Sequence, residues 1–340
     1  MENMLVLAHA DETGSALSRA SLEAVTAGIE LATHLGAPLG IGIVGGDAAI
    51  ANSLAATATR LLAVSGEAFV QPRYATDAAA CEALCREANA TIVLVPAGAR
   101  FSRVAAGVAY RLGGVVDTHI TALGGTDKLE ATRWFYRQRV EAVISRSARP
   151  WVIVLDAGTH AAYAGAPGNA NVEQVAVELP ATRTTVSGIR APSQDEQTIR
   201  PDARMLFVAG AGWTKKQPDG QIHVDDAAKL ILGFLRSTNA SLGSSKSLVD
   251  QGGEGQSVLP FLTHMNQIGQ TGATPRHAKG LSTCCHGEEP HVVGWRFIGE
   301  RRAISLDPNC GWTRGKADVV YVADAFQVIA KLNELLAAEA

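Results

Sequence analysis

Gln267-Ile268-Gly269-Gln270-Thr271-Gly272 is the stretch of this 340-residue chain best suited to holding a small molecule. Gly269 and Gly272 let the backbone turn tightly and approach a flat ligand closely. Gln270 and Thr271 bring hydrogen-bonding atoms without charge, which suits the edge of a planar heterocycle. Glycine-rich turns with one threonine are common, so the hexapeptide gains meaning only from its surroundings. Three other groupings could do chemistry. Gly243-Ser244-Ser245-Lys246 sets hydroxyls beside a cation. Ala209-Gly210-Ala211-Gly212-Trp213 follows the apolar run Met205-Leu206-Phe207-Val208, and a strand running into close glycines is how mononucleotide-binding units begin, although the full fingerprint is missing. Cys284, Cys285, His286 and His291, with His277 nearby, are metal-ligand types, but adjacent cysteines make a poor tetrahedral chelate. A vicinal disulfide or redox-sensing thiol is a second use of the pair. The leading reading is two small residues at the start of a ligand-facing helix, and a helix beginning near His286 would point its dipole at an anion.

The elements that must position these residues follow from periodicity. Met4 to His9 is a buried strand, followed by a helix with Leu22, Val25 and Ile29 on one face, capped by Ser18 and stopped by Gly36 and Pro38. Gly40 to Val44 is a second strand, and a helix is expected from Ala48 to Leu62. Thr76 or Asp77 is expected to cap a helix carrying Cys81 and Cys85, which are best explained as small buried residues. Thr91 to Val95 is a strand, Val104 to Leu112 a helix, and Val115-Val116 and Ile120 to Leu123 are strands. Alternation of this kind means an α/β fold with a parallel sheet covered on both faces. Leu129 to Tyr136, Val140 to Ser145, Trp151 to Leu155 and Val172 to Leu179 read as strands without helices between them, and so as an antiparallel extension. His119 is expected as a strand-end residue. His9-Ala10-Asp11-Glu12-Thr13-Gly14 carries one glycine and two carboxylates, which would repel a phosphate, so no nucleotide is assigned to the first domain.

The stretch from Pro180 to Asp202 is rich in Thr, Ser, Pro and charge and marks a boundary, giving domains 1–195 and 196–340. The second domain continues with a helix from Asp225, its expected cap, to Arg236, and ends with a helix from Ala325 to Glu339. Net charge is -3 and the basic residues are scattered, which argues against a nucleic-acid surface. No apolar run approaches the roughly 20 residues of a membrane span, so no membrane insertion is expected. The N-terminus lacks a secretory pattern, and five cysteines, an odd count, point to a reducing cytoplasm.

The order of these features resembles the α subunit of electron transfer flavoproteins. The resemblance is carried by Val208 to Gly212, Gly243-Ser244-Ser245-Lys246, Ile268-Gly269-Gln270-Thr271-Gly272, His286-Gly287 with His291, Ile304-Ser305-Leu306-Asp307-Pro308, and Val322-Ala323-Asp324. It is strongest from Met205 onward and rests on topology and spacing in the first half. It implies two α/β domains, each a mainly parallel sheet flanked by helices, the second a Rossmann-like FAD-binding domain. It also implies a heterodimer with a β subunit contacted by the first domain. The implied role is a carrier, not an enzyme with its own substrate, which takes electrons on FAD from flavin-dependent dehydrogenases to a membrane quinone reductase or similar oxidoreductase.

By the resemblance, Thr271 bonds flavin N5 with Gln270 beside it, Gly269 and Gly272 shape that loop, and His291, preceded by His286 and Gly287, lies near the pyrimidine O2. Ser245 meets the phosphate-ribose arm and Asp324 the adenosine end. Lys246 stands where an arginine usually covers the isoalloxazine. A cation there stabilises the negative charge of reduced flavin and raises its potential, although lysine lacks arginine's planar stacking face. Gly212 replaces the family's arginine in the strand-turn, and Ser305 its asparagine before Asp-Pro. Pro275 to Gly280 replaces an apolar, tyrosine-containing segment. Between Cys284 and His291 only the glycine and last histidine of the usual run survive. Glu288 and Glu289 beside a pyrophosphate would cost binding energy unless turned away. The substitutions at Gly212, Lys246 and Glu288-Glu289 motivate an alternative, a flavin-less binding or assembly subunit of the same fold. Metal-dependent hydrolysis finds no nucleophile–base–orienter set. Thr271→Val is expected to shift the one-electron potentials of bound FAD by about 20–60 mV, the worth of one hydrogen bond; unchanged potentials in a redox titration would count against the assigned contact.

Overall fold

The computed structural model describes residues 2–11, 13–45, 48–57, 59–125, 128–135, 140–188, 199–200, 203–250, 257–268, 277–284, 298–310, 313 and 317–339. The chain falls into two compact units, Met1–Ile189 and Arg190–Ala340.

In the first unit the elements run β1 (Met4–His9), α1 (Arg19–Leu35), β2 (Leu39–Val44), a 3-10 segment (Ala48–Thr57), β3 (Arg60–Val64), α2 (Glu67–Val70), α3 (Tyr74–Glu87), β4 (Ile92–Pro96), α4 (Ser102–Arg111), β5 (Val115–Gly124), β6 (Glu130–Phe135), β7 (Val140–Ile144), β8 (Trp151–Leu155) and β9 (Val172–Gln174). They form one sheet in the order β7-β6-β5-β8-β4-β1-β2-β3-β9, parallel from β5 to β9 and antiparallel at β6 and β7. Alternation along β1 sends Val6 and Ala8 into the layer that holds α1, and Leu5 and Leu7 into the layer that holds α3 and α4. Ser18 caps α1 by accepting the Ser21 N–H, and Gly36 ends it in the left-handed region, as the sequence suggests.

Four expectations for this unit need correction. The run from Ala48 to Leu62 is not one helix: the 3-10 segment stops at Thr57, and Leu61 to Val64 are buried as a strand beside β2. The alanine-rich stretch reads as helical locally, but the sheet needs an apolar strand there. Neither Thr76 nor Asp77 caps α3, which begins at Tyr74. Asp77 is buried inside the helix, and its carboxylate takes Arg100 at 2.8 Å and Arg103 at 3.1 Å. His119 sits within β5, at a bulge with φ 60, not at a strand end. The antiparallel extension is only β6 and β7. β8, buried along its whole length, inserts in parallel between β4 and β5, and β9 joins the far edge beside β3. A strand of five apolar residues gains most from a central place. Cys81 and Cys85 are buried free thiols, as expected, and burial pushes the Cys85 thiol up to about 12.

The β5–β8 junction encloses one carboxylate. Asp117, 3% exposed, accepts Arg146 Nε at 2.8 Å and Trp151 Nε1 at 2.9 Å, with Arg133 at 3.5 Å. Burial alone would raise its pKa, but the Arg146 guanidinium and the indole outweigh that and hold it below the usual carboxylate range. A depressed folded-state pKa adds stability that is present above the unfolded-state value and lost as pH falls through the folded one. Asp117→Asn is therefore expected to cost about 1–3 kcal/mol at neutral pH, and the gap from wild type should narrow on acidification. Urea midpoints measured against pH check this; a gap constant with pH would contradict it.

The second unit runs β10 (Met205–Ala209), a 3-10 turn (Ala211–Thr214), α5 (Val224–Thr238), β11 (Ser241–Ser244), α6 (Lys246–Asp250), a 3-10 turn (His264–Asn266), β12 (His277–Cys284), β13 (Ile298–Ser305), β14 (Val319–Val322) and α7 (Ala325–Glu339). Its sheet is wholly parallel among the described residues, in the order β11-β10-β12-β13-β14, the doubly wound order 2-1-3-4-5. Phe207, Ala209 and Trp213 pack with Ile231 and Phe234 of α5 and Ala325 and Ile329 of α7. α5 begins at Val224, so Asp225 is a first-turn residue and not the cap; there, with Asp226, it complements the helix dipole. Among the described residues no helix is long and apolar enough to cross a membrane.

Candidate functional site

Because the strands of the second sheet all run one way, their carboxyl ends share one edge, and in open α/β sheets ligands bind outside that edge where the strand order reverses. Each candidate residue within the described segments stands there. Gly212 lies in the turn after β10, Ser245 and Lys246 follow β11, Ser305 ends β13, and Asp324 follows β14. Gly269, Gln270, Thr271, Gly272, His286, Gly287 and His291 lie outside the described residues, as do Glu288 and Glu289.

The order reverses between β10 and β12, and that junction is pinned. Gly210 N–H donates to Thr283 O at 3.1 Å, Trp213 Nε1 donates to Thr283 Oγ1 at 2.8 Å, and Thr283 Oγ1 donates to Val208 O at 2.9 Å. Trp213 is fully buried, and Gly212 is buried with its carbonyl accepting Gln217 Nε2 at 3.0 Å. Beside β11, Ile268 N–H donates to Ser244 O at 3.1 Å, which sets Ile268, the last described residue before the 269–272 stretch, at this same edge. Thr263 and Asn266 close a capping box one turn earlier, and Asn266 Nδ2 reaches Leu242 O at 3.4 Å.

The polar candidates differ in what their side chains do. Ser245 is buried, and its hydroxyl accepts Leu248 N–H at 3.2 Å. Ser305 is buried, and its hydroxyl accepts Asp307 N–H at 3.2 Å, bending the chain into Asp307-Pro308. Asp324 Oδ1 accepts Gln327 N–H at 3.1 Å at the start of α7. These three shape the loops of the edge. Lys246 is exposed and carries its charge outward, with Asp250 at 3.8 Å. Asp250, which also faces His264, escaped the sequence reading, although its spacing of four from Lys246 was a visible signal.

His277 does not belong with the cysteines. It begins β12 while Cys284 ends it, and its Nε2 is bonded to Arg200 O at 2.9 Å. An eight-residue strand separates the two by more than ~20 Å. Among the described residues no cluster of His, Cys, Asp and Glu is placed to hold a metal.

Ser244 Oγ, at the end of β11, is buried and has no hydrogen-bond partner among the described residues. Such an orphan is costly until a ligand group or water satisfies it. One outward ammonium, an orphan hydroxyl and the glycine turn after β10 on a single edge suit a ligand with an anionic part and an uncharged polar part.

The first unit carries the decisive comparison. A family model for the electron transfer flavoprotein domain matches residues 6–180. The chain belongs to the electron transfer flavoprotein family. No curated protein matches the chain. The matched segment runs from β1 past β9, so the family is established on the first sheet, while the candidate edge lies outside it.

The pin between β10 and β12 should be felt in stability. Thr283→Val removes the acceptor of a buried indole N–H and is expected to cost about 1–3 kcal/mol. A urea midpoint within error of wild type would mean that Trp213 has another partner.

Proposed function

We propose that this member of the electron transfer flavoprotein family is an α-type subunit that holds FAD in its C-terminal domain and acts as an electron carrier. Electrons come from flavin-dependent dehydrogenases and pass to a membrane quinone reductase or similar acceptor. A β subunit completes a heterodimer through the first domain, and the complex works in the cytoplasm. The observation that supports this reading best is the gathering of Gly212, Ser245, Lys246, Ser305 and Asp324 on one carboxyl edge, in a chain whose first unit matches the family.

FAD supplies the electron chemistry when bound. The chain's part is to hold and bias it. The glycine turn after β10 gives close backbone approach, and the residue types of Gly269, Gln270, Thr271 and Gly272 suit uncharged contacts to the ring. Ser245, Ser305 and Asp324 fix the loops that surround the ligand, and His286, Gly287 and His291 complete the set. Lys246 supplies the positive charge that favours the reduced cofactor.

A flavin-less assembly subunit is the second reading. It is favoured by the buried, internally bonded hydroxyls of Ser245 and Ser305, together with Gly212 and Glu288-Glu289. FAD content after co-expression with a β partner and gel filtration separates the two: near-stoichiometric flavin supports the carrier, and flavin-free heterodimer supports the alternative. Within the carrier reading, Lys246→Met should lower the one-electron potential by on the order of 40 mV or more, the effect of losing one nearby charge. An unchanged potential would put Lys246 off the flavin.

A further inference from the structure

Lys246 is one of three linked charges. Its Nζ lies 3.8 Å from Asp250 Oδ2, and the other oxygen of that carboxylate lies 3.6 Å from His264 Nδ1. The Lys246 and His264 side chains are each 61% exposed, so solvent and a ligand can reach both. The elements packed against α6 bring one further charge close by in sequence, that of Lys215. β11 is Ser-Leu-Gly-Ser and the 211–214 turn is Ala-Gly-Trp-Thr, with Lys215 next along the chain. With the imidazole neutral, the ammonium and the carboxylate cancel. With it protonated, the trio carries one net positive charge.

We propose that Asp250 joins Lys246 and His264 into one charge unit, which steps from zero to plus one as the imidazole takes up a proton and tightens the hold on an anionic cofactor at this edge. The proposal rests on the FAD reading above and adds a pH dependence to it. Asp250 is a positioning residue: it compensates Lys246 while His264 is neutral, and is shared between two cations once His264 is charged, leaving more of the Lys246 charge for the ligand. Histidine is the side-chain type whose charge changes between about pH 5 and 8. Exposed pairs of this kind are weak and screened by salt, so the step should be modest and should fade as ionic strength rises.

The test is the FAD dissociation constant of the full chain at about pH 6 and about pH 8.5 in low salt, for wild type, His264→Gln and His264→Lys. Glutamine is never charged there and lysine always is. Wild type is expected to bind about two- to fivefold tighter at the acid pH, the scale of a weak ion pair. His264→Gln should stay at the weak level at both pH values and His264→Lys at the tight level. Asp250→Asn should bind at least as tightly as acid wild type at both pH values, because the carboxylate no longer offsets Lys246, and should keep a pH step, because His264 still gains its charge. High salt should erase the wild-type step. The same pH step in wild type and both His264 variants would overturn the proposal while leaving FAD binding intact. Wild-type protein that takes up no FAD at either pH would overturn the FAD reading and this proposal with it.

Discussion

Gly243 has no side chain because Ile268 stands where one would go. A Cβ at position 243 would lie 2.6 Å from Ile268 Cγ2 and 3.3 Å from Leu206 Cδ1. That close approach lets the segment Gln267-Ile268 lie against β11 and donate to Ser244 O. Ile268 is thereby fixed at the edge that also carries Ser245 and Lys246. Opening the Gly243–Ile268 contact would release the Gln267-Ile268 segment from β11. The Trp213–Thr283–Val208 chain of hydrogen bonds does the matching work on the other side of β10. Between them, these two contacts define the carboxyl edge of the second sheet.

The first unit solves a different problem. Its sheet must bury apolar strands on both faces and still accept β8 between β4 and β5. Insertion of β8 brings the Trp151 indole and the Arg146 guanidinium to Asp117, and the carboxylate is buried only because those donors meet it. Asp77 and Arg100 repeat the device on the face that holds α3 and α4. Buried carboxylates with arginine partners here bond elements that are far apart in sequence. They read as scaffold, and this is the part of the chain that carries the family match.

Local signals were legible and long-range ones were not. Ser18 and Gly36 bound α1 because capping chemistry is local. The parallel strands β1, β2 and β4 showed as continuous apolar runs. The insertion of β8 could not be read, since strand order depends on partners far away in sequence. Asp77 looked like a cap because its type suits one, and only the fold reveals Arg100 waiting for it. At the candidate edge, the family resemblance pointed to Gly212, Ser245, Lys246, Ser305 and Asp324, and the fold sets all five at the carboxyl ends of strands. What the sequence could not give was direction: the hydroxyls of Ser245 and Ser305 turn into their own loops, whereas the Lys246 ammonium faces out. The link from Asp250 to His264 was invisible because His264 comes from a separate turn.

The central claim is that the carboxyl edge of the second sheet holds FAD. The most direct measurement is the absorption spectrum of the purified, partner-complexed protein before and after dithionite. The account predicts the two long-wavelength bands of oxidised flavin and their bleaching on reduction. A colourless complex that also fails to take up added FAD would contradict it.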